Sequence, residues 1–364
     1  MFTRSRVPQR RSVLAATALG TGLALVAVLP TAQAASPTQR FDQVNLVSDQ
    51  PDMAQIRDPL LVNPWGLSHS PTSPFWVSNN GTDSSTLYRG AADGADVSKV
   101  PLEVAITGGA PTGQVFNDTD GFVVGSATAG GPARFIFDSE SGDVTGWNPA
   151  AAATTALVTA HSDGAIYKGL ALLHSANGPY LLAADFHHGR IDVYDSSWAR
   201  VDLDSAFTDP RLPAGYAPFN VYVSGASVYV SYAKQDAEAS DEIAGHNLGF
   251  VDKYTNDGRT VQRIASRGNL NAPWGMTIAP DSFGRLAGSL LVGNFGDGRI
   301  GAYTDGGDFL GFLRDANNHK IAIDGLWALL PGTAASGGTD AVWFSAGPNE
   351  EKHGLLGLLR PSAR

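Results

Sequence analysis

Short apolar runs separated by Gly, Asn, Asp, Pro and Ser recur along this chain from residue 41 onward. Residues 63–88, NPWGLSHSPTSPFWVSNNGTDSSTLY, set the template. It has a Pro-Trp-Gly opening, a short strand, a Ser/Pro turn, an apolar strand at Phe75, Trp76, Val77 and Ser78, a polar loop from Asn79, and a third strand ending in Tyr88. With the opening glycine as marker, the pattern returns at Gly113, Gly169 and Gly275, and Asn220 and Trp327 fill the gaps. The successive spacings are 47, 56, 51, 55 and 52 residues, a near-constant period that points to stacked supersecondary units. An aromatic residue before a polar turn marks the end of the third strand at Tyr88, Phe137, Tyr194, Tyr254 and Tyr303, and only the last unit lacks it. Nine residues earlier, Asn79, Asp185 and Asn294 end second strands.

Each unit therefore reads as four short strands with period-2 apolar runs such as Leu181 to Ala184 and Leu290 to Val292. Such a unit cannot bury both faces alone. Radial stacking buries them against neighbours, and closing the ring protects the sheet edges. The pattern predicts an all-β protein, a six-bladed β-propeller of four-stranded blades. The last unit has material for three strands only, at 326–330, 341–345 and 355–359, while 41–47 is a strand without a local partner. The N-terminal strand is expected to pair with the last blade and close the ring.

The organisation that follows is a signal peptide at 1–34, a closing strand and connecting arm at 35–61, the propeller at 62–360 and a tail at 361–364. The signal peptide rests on Arg4, Arg6, Arg10 and Arg11 before an apolar run ending near Leu29 and an Ala-Gln-Ala site at Ala34. The Arg10-Arg11 pair resembles a twin-arginine signal, with the general secretory route as the alternative. The chain is expected to be secreted, with no membrane association once the signal is removed.

Charge and composition narrow the function. Without residues 1–34 the 25 basic residues fall to 21 against 35 acidic ones, a net charge of −14. So acidic a surface, with no basic stripe, argues against nucleic-acid partners. The chain has no cysteine, which excludes a thiol nucleophile, a thiolate metal site and disulfides. No GxSxG, GxxxxGK[ST], strand-associated GxGxxG or HExxH pattern occurs, so the common hydrolase, phosphate-loop, dinucleotide and zinc-protease mechanisms have no local support.

In up-and-down blades the start of the first strand and the loop from the second to the third strand share one face. That face collects Asn63, Asn79, Asn80, Asp185, His187, His188, Asn271, Asn294, Asp324, Asn349 and Glu350. Trp65, Trp274 and Trp327 lie beside the openings and either wedge blades together or stack on a flat ligand. The carboxylates and amides at strand ends read first as Asx-turn acceptors. Alternatively Asn63, Asp185, Asn271, Asn294 and Asp324 supply oxygens to a calcium ion on the axis. His187 and His188 point to opposite sides of an extended chain and read as exposed turn residues. Residues 117–121, NDTDG, read as a turn, since Phe116 stands where a calcium loop needs its first ligand. Residues 233–247, with Asp236, Glu238, Asp241 and Glu242, are a long insertion in the fourth unit that reads as a solvated loop, with a lid as the alternative.

The loops DFHHGRIDVY from Asp185 and NFGDGRIGAY from Asn294 resemble the NHL repeat. More broadly, NPWGL at Asn63, FWVSNNGT at Phe75, PTGQVFN at Pro111, ARFIFDSESGDVTGWNP at Ala133, NAPWG at Asn271, LLVGNFGDGRI at Leu290 and WFSAGPNEE at Trp343 resemble an uncharacterised family of exported bacterial six-bladed β-propellers. The resemblance implies fold and export and carries no catalytic residues. Two functions stay open: a non-catalytic, monomeric binding or scaffold protein that holds a protein, glycan or small ligand on its loop face, or a calcium-dependent hydrolase of the lactonase type or lyase with a cation on the axis.

Overall fold

The computed structural model describes residues 39–203 and 205–362. The segment 1–34 read as an export signal lies outside the described residues, as do the last two residues of the tail. Among the described residues no helix is long and apolar enough to cross a membrane.

The described strands fall into antiparallel groups that follow the chain, as a β-propeller requires. The innermost strands are Pro64–Ser68, Pro111–Phe116, Tyr167–Ser175, Tyr216–Ser224, Pro273–Ile278 and Leu326–Pro331. We number the blades in that order. The outer edges of the first two blades join through a parallel pairing of Thr155 with Ala105.

The opening glycines mark where these inner strands approach most closely. A Cβ on Gly66 would sit 2.5 Å from the carbonyl oxygen of Thr112, in the next blade. A Cβ on Gly275 would sit 2.5 Å from that of Trp327. Gly113 and Gly169 are crowded in the same way by the backbone nitrogen of Leu170 and by Asn220. Where glycine is missing, a side chain makes the contact instead: Asn220 Nδ2 donates to the Trp274 carbonyl at 2.9 Å, and Trp327 Nε1 donates to Asn63 Oδ1 at 3.0 Å. The repeat period is thus the spacing of close backbone contacts between neighbouring blades.

Ring closure follows the sequence reading. Strand Phe41–Ser48 runs antiparallel to Leu355–Pro361, from Phe41 opposite Pro361 to Ser48 opposite Leu355. Phe41, Leu46 and Val47 are buried. The Asp49 carboxylate fixes the junction by accepting from the Gly354 amide at 2.8 Å.

One strand assignment needs correction. Phe137 lies on Phe135–Ser139, which pairs with both the inner strand and Asp143–Trp147, so it belongs to the second strand of blade two and not to the third. The cause is a small hairpin, Val123–Gly125 with Gly130–Pro132, inserted after the first strand. It displaces the second strand along the sequence, so an aromatic of that strand falls where the period places the third. The third strand ends at Trp147, which supplies the aromatic.

Candidate functional site

The opening ends of the inner strands bring aromatic rings from four blades onto the axis. Trp65 stacks on Trp327 with ring centroids 3.4 Å apart, and Trp274 meets Trp327 edge-on at 5.7 Å. Phe295 stacks on Trp327 at 4.1 Å, and Phe219 lies 5.9 Å from it. Trp65, Trp274 and Trp327 are all buried, so they fill the loop end of the axis with packing and present no free ring there to a ligand.

Above this plug sits a charged cluster. Lys168, 1% exposed, points its ammonium at Glu140 Oε1 at 2.5 Å and Asp241 Oδ1 at 3.0 Å, and lies 5.3 Å above the Trp65 ring. Coulombic attraction to Glu140, Glu242 and Asp241 outweighs burial and holds its pKa above the ordinary lysine value. Asn63 Nδ2 donates to Glu351 Oε2 at 2.9 Å, and Asn80 Nδ2 donates to Glu140 Oε2 at 2.9 Å. Burial raises the Glu351 pKa, partly offset by Lys168 and Asn63. Burial pushes Glu242 up to about 8, again partly offset by Lys168.

The insertion 233–247 is therefore not simply a solvated run. Asp241 reaches Lys168 in blade three, the Gly245 amide donates to Asn271 Oδ1 at 2.6 Å in blade five, and Glu242 is partly buried. The period had no place for this segment, and its four acids looked soluble. Lys168 was also missed, although a lone charge in a column holding Trp65, Phe219 and Trp274 is a signal that was available.

The residues proposed as calcium ligands are committed to protein partners. Asp185 Oδ2 faces His188 Nδ1 at 2.7 Å and Arg190 Nη2 at 3.3 Å. Asn294 Oδ1 accepts from the Asn271 amide at 3.2 Å, and Asp324 Oδ2 accepts from the Asn349 amide at 2.8 Å. Glu350 is exposed and pairs with Lys352 at 2.7 Å. Among the described residues no three His, Asp or Glu side chains are grouped to hold a metal ion. Lys168 pairs with Glu140 and Asp241, outside that donor set, while the expected donors are each hydrogen-bonded to separate protein partners. His187 is exposed, with Nδ1 3.2 Å from the Ala239 carbonyl oxygen. Asn117 Oδ1 accepts from the Thr119 amide at 3.0 Å, the Asx turn read for residues 117–121.

Beyond the plug the inner strands line a cavity of about 380 Å³ that extends toward their far ends. Its walls are largely apolar, with Leu67, Leu172, Val221, Met276 and Ala328 among them, and Trp274 forms part of its inner end. His69, Asp118 and His174 lie where the strands finish, and His174 Nε2 sits 3.0 Å from Asp118 Oδ1. Gln114 Nε2 donates to the carbonyls of Gly66 and Trp76 at 2.7 and 2.6 Å. That fixes the amide and leaves Gln114 Oε1 buried without a partner, as Ser68 Oγ also is. Both residues line the cavity. No expected site residue other than Trp274 lies here, because the sequence reading looked to the loop face.

The pH dependence of stability follows from buried carboxyls. Besides Glu242, Asp138 is pushed up to about 7 by complete burial, partly offset by hydrogen bonds from Thr112 and the Gly113 amide. Both groups bind protons more tightly folded than unfolded, so their stabilising effect is complete below about pH 4 and is lost as pH rises through about 7 to 8. The melting temperature is expected to fall by several degrees between pH 5.5 and pH 9, and Glu242→Gln to flatten part of that slope. A melting temperature that rises across this interval would contradict the assignment.

The fold defines the class, a β-propeller whose axis is sealed by aromatics at one end and hollow at the other. The chain belongs to a family that includes two uncharacterised proteins of Acanthamoeba polyphaga mimivirus. The protein R648 is 32% identical over 323 residues, covering 86% of this chain and 78% of the relative. The protein L690 is 31% identical over 335 residues, covering 86% and 84%. These relatives are viral, so the bacterial and exported membership expected above rests on the sequence motifs alone. No family model matches the chain. Solved structures of similar course include virginiamycin B lyase from Staphylococcus aureus, with a TM-score of 0.47 and 11% identity over 89% of this chain and 99% of that one. A gluconolactonase from Xanthomonas campestris has a TM-score of 0.42 and 14% identity over 88% and 98%. At these identities the likeness concerns architecture and brings no activity to this chain.

Proposed function

We propose that this protein is an exported, non-catalytic, monomeric propeller that binds one small, largely apolar ligand in its axial cavity, at the end opposite the loop face. The observation that carries the reading is a chamber of about 380 Å³ with largely apolar walls and a few polar residues, Ser68, Gln114 and Asn220, in its lining. Ligand pockets occupy roughly 300–1,000 Å³ and combine apolar walls with few polar groups.

The loop face supports this reading by being closed. Its aromatics pack on one another, Lys168 pairs with Glu140 and Asp241, and the Asn294 amide side chain ties to the backbone at Asn271.

Titration with the neutral dye N-phenyl-1-naphthylamine tests the proposal. Fluorescence is expected to saturate at one dye per chain and to be lost in Ala328→Phe, which fills the chamber, and in Val223→Glu, which places a charge on its wall. Both variants are checked for an unchanged circular dichroism spectrum. Dye binding that persists in both folded variants would overturn the proposal.

A further inference from the structure

We infer that the ligand of the axial cavity is an amphiphile whose anionic head, a carboxylate or a phosphate, lies in the groove between the first two blades beside Arg134. The inference rests on the proposed ligand-binding function and names the chemical class of its ligand.

A second cavity of about 450 Å³ lies between blades one and two, lined by Trp76, Phe116, Arg134, Phe135 and Trp147 and by the 70–74 turn. Phe116 lines this groove and the axial cavity alike, so the two adjoin at one side chain. From Phe116 a row of rings leads outward. Phe116 and Phe135 have centroids 5.6 Å apart, Phe135 stacks on Trp76 at 4.1 Å, and Trp147 follows at 4.8 Å from Trp76. Trp76, Phe135 and Trp147 are buried in this stack, so the half-buried Phe116 is the ring that faces both the groove and the axial cavity.

Among the polar groups of the groove, Ser73 Oγ donates to the Pro74 carbonyl at 2.8 Å and Trp147 Nε1 to the Ala153 carbonyl at 3.3 Å, while the guanidinium of Arg134 has no acceptor. Arg134 is exposed, and its guanidinium makes no ion pair, hydrogen bond or ring contact with any described residue, whereas Arg190, Arg200, Arg211, Arg263 and Arg299 all pair with aspartates. The indole Nε1 of Trp76 is buried without an acceptor. Arg134 is tied to the cavity rim through its own backbone, whose carbonyl accepts from the Asn117 amide at 3.0 Å, between Phe116 and Asp118. The charged groups nearby are Asp118, paired with His174, and the exposed Asp120, neither of which reaches Arg134. A guanidinium matches a carboxylate or phosphate through two parallel hydrogen bonds, and one left without an acceptor beside the groove of an acidic chain offers a local site for an anion.

Competition against the bound dye tests this with octanoate, octyl phosphate and octan-1-ol on the intact protein and on Arg134→Gln, whose exposed position leaves folding undisturbed. At least one of the two anions is expected to bind about tenfold tighter than the alcohol. Arg134→Gln is expected to abolish that preference while leaving the alcohol unchanged, and added salt to weaken the anion alone. The head giving the larger preference identifies which of the two the groove takes. Equal affinities for acid and alcohol in the unmodified protein, or a preference that survives Arg134→Gln, would overturn the inference while the dye still binds. Absence of dye binding would instead overturn the proposed function beneath it.

Discussion

Gly113→Ala is expected to lower stability by about 3 kcal/mol or more, at the upper end of the usual cost of overpacking. The added methyl would fall within van der Waals contact of the Leu170 backbone nitrogen in the next blade and 2.8 Å from Asp138 Oδ1. Backbone on one side and a buried carboxylate on the other leave little room to give. The Gly113 amide also donates to Asp138 Oδ1 at 2.7 Å, so moving the strand strains that bond as well. Gly306→Ala is the control, since a Cβ there meets only Thr304 Oγ1 at 3.6 Å. Thermal unfolding of the pair should show a drop of roughly 5–10 °C for the first and almost none for the second. Equal melting temperatures would mean that the repeated glycine does not mark blade contact.

A chain lacking residues 39–48 is expected not to hold a closed fold. The strand Phe41–Ser48 covers the edge of Leu355–Pro361 and buries Phe41, Leu46 and Val47. Three such side chains contribute roughly 5–9 kcal/mol by area burial, comparable to the roughly 5–15 kcal/mol by which whole domains are stable. Removal also exposes a long sheet edge that invites pairing with other copies. Size-exclusion chromatography should find the shortened chain aggregated, and a synthetic peptide of residues 39–48 should restore monomer by adding back the missing strand. A shortened chain that stays monomeric with native circular dichroism would show that closure is not structural.

Much of the fold was legible because the features that specify it are local and repeated. Gly66, Gly113, Gly169 and Gly275 stand at near-constant spacing since each lies where two inner strands come close. Strand 41–47 announced itself by having no neighbour to pair with. Where a blade carries an insertion the period misleads, as with Phe137, which the hairpin at 123–132 moved into another strand's place.

The candidate site was less legible, for a physical reason. Loop-face residues are polar and conspicuous, so they draw attention, yet Asp185 holds its own turn, Asn294 ties the end of its strand to the backbone at Asn269 and Asn271, and Asn63 bridges blades. The cavity is built from the later residues of strands that are apolar for folding as well as for binding, so Leu172 or Val221 looks the same in either role. Polar residues among these apolar neighbours, such as Ser68 and Gln114, carry a trace of it. Lys168 is legible only against the aromatic column it interrupts, and its carboxylate partners come from segments far apart in sequence, 28 residues away for Glu140 and 73 for Asp241.

The most direct measurement of the central claim is native mass spectrometry of the protein with the neutral dye, run beside Ala328→Phe in the chamber and Glu350→Ala on the loop face. One bound dye per chain, retained in Glu350→Ala and lost in a folded Ala328→Phe, is the predicted result. Binding that survives Ala328→Phe and disappears in Glu350→Ala would place recognition on the loop face and contradict the account.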